Sequence, residues 1–273
     1  MNLVLNNNNV VAGSNNTRYK YQFISPLEIK KNAVMAISNI TLPYSWFNIT
    51  ENNKNNVAEI EWAIGGTIFY YLLPLQNGYY SVVDLNKAIQ YTCVANGLYL
   101  INESRNYVYY LTITYDPVLY AVRVTGYSIP SSLPAGWSLP SNFAGFPSAP
   151  FVPRLLVNLG FAKLIGFSTI AIGNNLAPFS VTSTQIPQGS IANSILVRSN
   201  IIDNDSGFPT DVLDTIPINT PFGTNINFSP KELKWIKCTV GTVQSFEVFF
   251  CDQNLNPMFI LDSNVCISIL LKN

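Results

Sequence analysis

The sequence has 273 residues, 48% hydrophobic and 13% aromatic, with 11% charged residues (fifteen basic, fifteen acidic) and no histidine. That length is enough for one large all-β domain with an ample core. The missing histidine removes Ser-His-Asp and Cys-His nucleophile systems, histidine-ligated zinc and the usual general base near neutral pH. Charge well below the ~25% of ordinary domains, with a net charge of zero, favours association over dispersion. With no basic stripe to grip phosphates, no direct nucleic-acid binding is expected.

The four cysteines, Cys93, Cys238, Cys251 and Cys266, form no CxxC pair and no zinc spacing. They read as reduced and buried. The opening MNLVLNNNNV lacks a basic segment and a long apolar run, and no window reaches the ~18 apolar residues of a membrane helix. Neither a signal peptide nor a membrane segment is therefore expected, and the chain reads as soluble and intracellular.

Residues 1–16 read as an extended, Asn-rich arm that orders on assembly. TRYKYQFIS (17–25) alternates aromatic and polar residues as a half-buried strand does. AVMAISNITL (33–42) is a more buried strand stopped by Pro43, and ENNKNN (51–56) is a low-complexity loop. EIEWAI and TIFYYLL, joined by Gly65-Gly66, predict a hairpin. Glu59 and Glu61 share a strand face there. A carboxylate pair is one requirement of glycosidase chemistry, but without a basic or strained context they read as a solvent-facing strand side.

Asn77-Gly78 marks a turn, and Ser81 with Asp84 fits a capping box. Val82, Leu85, Ile89 and Thr92 or Cys93 recur at helical spacing up to Asn96-Gly97, a C-cap. One short helix is therefore predicted, with Tyr79 and Tyr80 as packing and interface residues. Strands resume at 98–101, 107–115 and 119–127, the last two pairing across Asp116-Pro117. Residues 128–153 hold six prolines and read as an irregular excursion, packed because of Trp137, Phe143, Phe146 and Phe151. RLLVNLGFAKLIGF (154–167) is a buried strand or short helix, and NSILVRSNII (193–202) a strand.

DNDSGFPTDVLDTIP (203–217) carries four aspartates, but Gly207 stands fifth and no glutamate ends the run, so Asp203 to Asp214 read as a capped turn, not a calcium loop. Leu233 to Val240 is a strand candidate. VQSFEVFFC (243–251) is a strand whose register buries Phe246, Val248 and Phe250. VCISILLK (265–272) has apolar residues on both faces, as in a sheet interior.

Ten to twelve strands, one helix and no β–α alternation predict an all-β antiparallel β-sandwich or jelly roll. The expected division is an arm (1–16), a first part of the sandwich (17–127), a Pro-rich insertion (128–192) and a second part (193–273). No catalytic, cofactor-binding or metal-binding residue emerges from the pattern.

The ordered set MNLVLNNNNVV…NNTRYKYQF (1–23), ISNITLPYSWFNIT (37–50), LQNGYYSVVDLNKAIQ (75–90), LIGF (164–167), NSILVRSNIIDN (193–204) and DQNLNPMFILDSNVCISILLK (252–272) resembles the minor capsid, or penton, proteins of virophages and polinton-like viruses. The resemblance implies a single jelly roll with an inserted loop-rich subdomain. It also implies a structural virion protein that assembles as a homopentamer at icosahedral fivefold vertices, beside a double-jelly-roll major capsid protein, with no catalytic residues or cofactors. The alternative is a jelly-roll carbohydrate- or receptor-binding module, or another minor capsid or fibre protein, with Trp46, Trp62 or Trp137 stacking on sugar rings.

Overall fold

A computed structural model describes residues 1–190 and 192–273. In chain order the strands are β1 (Asn2–Leu5), β2 (Arg18–Ile29), β3 (Val34–Pro43), β4 (Ala58–Ile64) and β5 (Thr67–Leu72), followed by helix α1 (Val82–Asn96). Next come β6 (Tyr99–Ile101), β7 (Tyr107–Tyr109), β8 (Leu111–Asp116), β9 (Ala121–Gly126), β10 (Leu155–Val157), helix α2 (Leu159–Leu164), β11 (Ala171–Ile172) and β12 (Phe179–Thr182). The last are β13 (Ser194–Ser199), β14 (Val212–Pro217), β15 (Asn225–Phe228), β16 (Ile236–Lys237), β17 (Gly241–Asp252) and β18 (Cys266–Lys272). The chain divides into two compact units, Met1–Trp46 with Ile191–Asn273, and Phe47–Ser190.

The first unit holds two antiparallel sheets, ordered β1-β18-β3-β15, with β16 also on β3, and β14-β13-β17-β2. Counting the long strands of this unit along the chain, the first sheet reads first, eighth, third and sixth, and the second reads fifth, fourth, seventh and second. That interleaving is the two-Greek-key order of a jelly roll. Each sheet turns one apolar face inward: Leu3, Leu5, Met35, Ile267 and Ile269 on one, Tyr19, Ile195, Val197, Phe246 and Val248 on the other, all buried. Phe250, at 3% exposed, completes the register expected for β17.

Two bulges reset the pattern. Among the large side chains of β3, Met35 and Ile37 are buried before Ser38 and Ile40 and Leu42 after it, with the small Ala36 also buried. The switch from odd to even falls where the pairing with β18 skips Ser38, between Ser268 and Ile269. An extra residue inverts which side chains face inward beyond it, and the Ser38 hydroxyl donates to the Ser268 carbonyl at 3.0 Å. In β2, residues 23–26 bulge out of the pairing with β17. Pro26, which has no N–H, is accommodated there because β2 is an edge strand.

The unit inserted after β3, residues 47–190, holds a sheet ordered β11-β10-β4-β5, a three-stranded sheet β12-β9-β8 and the β6-β7 pair. Its core collects Trp62, Leu85, Ile89, Cys93, Leu98, Ile113, Val122, Val124 and Phe161. Helix α1 is the one the sequence predicted. Ser81 Oγ accepts the Asp84 N–H (3.2 Å) while Asp84 Oδ2 accepts the Ser81 N–H (3.1 Å), and Leu85, Ile89, Thr92 and Cys93 form its buried face. Gly97 ends it in the left-handed region (φ 66°, ψ 32°). A Cβ there would sit 2.0 Å from the Asn142 carbonyl oxygen, so no other residue fits without backbone movement.

Several expectations change. The N-terminal stretch is not a free arm: β1 pairs with β18, and the Met1 ammonium donates to the Leu271 carbonyl at 2.7 Å. The inserted unit begins at Phe47 and not at 128, so β4 to β9 belong to it and not to the jelly roll. Residues 128–153 are irregular as expected and held by isolated bridges such as Ile129 to Phe151. Residues 154–167 supply both a strand and a helix. The Asp-rich stretch contains β14, and the 233–240 candidate shrinks to two residues, β16.

Candidate functional site

The carboxylate pair on β4 separates on folding. Glu59 is half-buried, whereas Glu61 is 2% exposed and not the solvent-facing residue its spacing suggested. Arg154, just before β10, reaches it with Nε to Oε2 at 2.5 Å and Nη2 to Oε1 at 3.0 Å. The neighbouring backbone fixes this geometry, because the Glu61 N–H donates to the Arg154 carbonyl at 3.1 Å. A bidentate hydrogen bond to Glu61 holds the guanidinium above its ordinary value against the opposing effect of burial. Both oxygens of this buried carboxylate are engaged by the guanidinium, so the arrangement is a structural clasp.

The Asp203–Asp214 stretch spends its carboxylates on basic partners. Arg198 takes Asp211 with two contacts of 2.8 Å. Lys237 lies 3.9 Å from Asp203 and 3.8 Å from Asp205, and Lys234 lies 4.0 Å from Asp214. Asn204 organises the turn: its Oδ1 accepts the Ser206 N–H at 3.2 Å and its Nδ2 donates to the Val212 carbonyl at 3.1 Å. Among the described residues, no group of three or more His, Cys, Asp or Glu could hold a metal ion.

Trp46 and Trp62 are each 1% exposed, so neither can stack on a sugar ring. Trp62 packs edge-on against Tyr110 at 6.1 Å, and Trp137 is half-buried against the same core. Tyr80, also half-buried, packs on that core, as its position before the helix suggested. Of the cysteines, Cys93, Cys238 and Cys251 are buried and Cys266 is exposed, the last against expectation. Burial pushes the Cys93 thiol up to about 12 and Cys238 up to about 11, which keeps both protonated and unreactive at neutral pH.

The surface also presents large apolar side chains. β5 lies at the edge of its sheet, paired only with β4 among the described residues. Its Ile68, Phe69, Tyr70 and Leu72 are 40–59% exposed. The β8–β9 hairpin tip carries Val118 at 89%, Leu119 at 60% and Tyr120 at 60%. Asp116 stiffens this tip, its Oδ1 accepting the Val118 and Leu119 N–H groups and its Oδ2 taking Arg123 at 2.7 Å. Among the described residues no helix is long and apolar enough to cross a membrane.

Strand order and the inserted unit therefore define a jelly-roll protein with an exposed apolar edge strand and hairpin tip. Two solved structures are similar to it. The crystal structure of the mavirus penton protein aligns over 100% of this chain and 98% of that one, with 12% identity and a TM-score of 0.46. The cryo-EM structure of the Sputnik virophage contains a chain that aligns over 93% of this chain and 91% of its own, with 9% identity and a TM-score of 0.39. No family model matches the sequence, and no curated protein matches it significantly.

Proposed function

We propose that the chain is a structural virion protein: a penton-type minor capsid subunit that forms homopentamers at icosahedral fivefold vertices, contacts the major capsid protein, and performs no catalysis. The observation that carries this reading is the jelly-roll strand order with a second compact unit inserted after its third strand, in a chain whose ordered stretches resemble virophage penton proteins. Composition points the same way. A surface with so few charges and a row of half-exposed apolar side chains on an edge strand suits a subunit covered by neighbours. A closed ring of head-to-tail contacts would bury that edge on every copy.

The test is assembly. Co-expression with the major capsid protein, followed by imaging of the resulting particles, is expected to show this chain as fivefold density at the vertices. Closed particles with unoccupied vertices and all of this chain left in the unbound fraction would contradict the proposal.

A further inference from the structure

The jelly-roll unit has a cavity of about 490 Å³ between the 203–206 turn and β16, lined by Asp203, Asp205, Ser206, Lys234, Trp235 and Lys237. That volume lies within the ~300–1,000 Å³ range of small-molecule sites. Its walls are tied together. The Asp203 N–H donates to the Lys237 carbonyl at 3.0 Å, and the Asn204 N–H donates to the Thr210 carbonyl at 2.6 Å. Lys272, which does not line the cavity, sits 3.8 Å from the centre of the Trp235 ring and steadies the indole by a cation–π contact.

The polar groups are close together, joined by ion pairs that are too long to be hydrogen bonds. Lys237 Nζ stands 3.9 and 3.8 Å from the two carboxylates, too far for a direct hydrogen bond. Among the described residues, neither Asp203 nor Asp205 has a carboxylate hydrogen bond. Two carboxylates, the Lys237 ammonium and a hydroxyl thus line the cavity beside an aromatic ring, while the ammonium of Lys234, also in the lining, stands 4.0 Å from Asp214 outside it. A metal cation would compete with Lys237, which already lies between the acids, and an anion would face both carboxylates. A ligand that both donates and accepts at adjacent positions, carries no charge and offers a flat apolar side matches the two carboxylates, Lys237 and the indole. We infer that this cavity binds a pyranose ring of a neutral saccharide, with Asp203 and Asp205 accepting from hydroxyls, Lys237 donating to a hydroxyl oxygen, and Trp235 packing on the C–H face. This goes beyond the structural role proposed above and does not depend on it.

Saturation-transfer NMR on the full chain tests the inference, with galactose, mannose, N-acetylglucosamine and N-acetylneuraminic acid as probes. Transfer to at least one neutral sugar is expected, at least tenfold weaker in Trp235→Ala. Asp205, whose side chain is 77% exposed, can become Asn without disturbing the fold, and Asp205→Asn is expected to weaken binding several-fold. Trp137→Phe, in the inserted unit, is expected to leave it unchanged. No transfer to any neutral sugar, preference for the anionic sugar, or undiminished transfer in both Trp235→Ala and Asp205→Asn would each overturn the assignment.

Discussion

Replacing Arg154 by Met removes the guanidinium from Glu61 and keeps a similar apolar stem. The carboxylate left behind is 2% exposed and loses both of its contacts, at 2.5 and 3.0 Å. Breaking a buried pair from one side costs ~3–5 kcal/mol, because the remaining charge stays buried. The Arg154 side chain is 27% exposed, so some water reaches the site, and the lower end, ~3 kcal/mol, is expected. The same charge removal at Lys87–Asp84, where the side chains are 71% and 46% exposed, should cost no more than ~0.5 kcal/mol. Urea unfolding followed by tryptophan fluorescence gives the comparison, since Trp62 lies next to Glu61 on β4. Adding Glu61→Met to Arg154→Met should restore most of the loss, as buried pairs replaced by apolar residues are often neutral or better. If Arg154→Met unfolds within ~0.5 kcal/mol of the natural protein at an unchanged urea slope, or if the double variant is no more stable than the single, the clasp reading is wrong.

Further outcomes follow from the same geometry. Gly97→Ala combines a left-handed backbone with a Cβ 2.0 Å from a carbonyl oxygen, so it should cost well over ~1 kcal/mol, measured by thermal melting; a melting point equal to the natural protein's contradicts the close approach. Burial raises the Glu247 carboxyl, but hydrogen bonds and charge from Arg18 and Lys20 outweigh it and hold the group below the ordinary value. Its folded value is thus lower than its unfolded one, so its contribution is complete above the unfolded value of ~4.3 and is lost as pH falls through the folded value. Glu247→Gln should flatten that acid limb in denaturation experiments between neutral pH and about pH 3, and an unaltered limb would count against the pairing. Tyr70→Lys, at a site 57% exposed on β5, should leave the melting temperature within a degree or two but reduce oligomer formation at least tenfold by light scattering; unaffected assembly would remove β5 from the interface.

The elements that were legible in the sequence are those whose signals are local. α1 carries its own cap, stripe and stop within residues 81–97, and the β4–β5 hairpin announces its turn with Gly65-Gly66, pairing Ile64 with Thr67. β17 shows its register because Phe246, Val248 and Phe250 alternate without interruption. β14 was hidden because Leu213 is a bulged residue, so its buried positions, 213 and 216, fall out of phase inside an Asp-rich run. β15 buries only Ile226 among polar neighbours, too little for a period-two signal. The boundary at Phe47 was also invisible, since strands of the inserted unit alternate just as jelly-roll strands do, and only the pairing partners tell them apart. Glu61 was misplaced for the same reason: its partner lies 93 residues away. The Trp235 cavity depends on the backbone contact that sets Asp203 against Lys237, and no spacing in the chain records that contact.

The central claim, a subunit built to close a fivefold ring, is tested most directly by the mass of the purified chain in solution, by native mass spectrometry or mass photometry. Five copies of a 30.3 kDa chain give a single species near about 150 kDa, which is the predicted result. A monomer of about 30 kDa that persists at every concentration, and with the major capsid protein present, would contradict it.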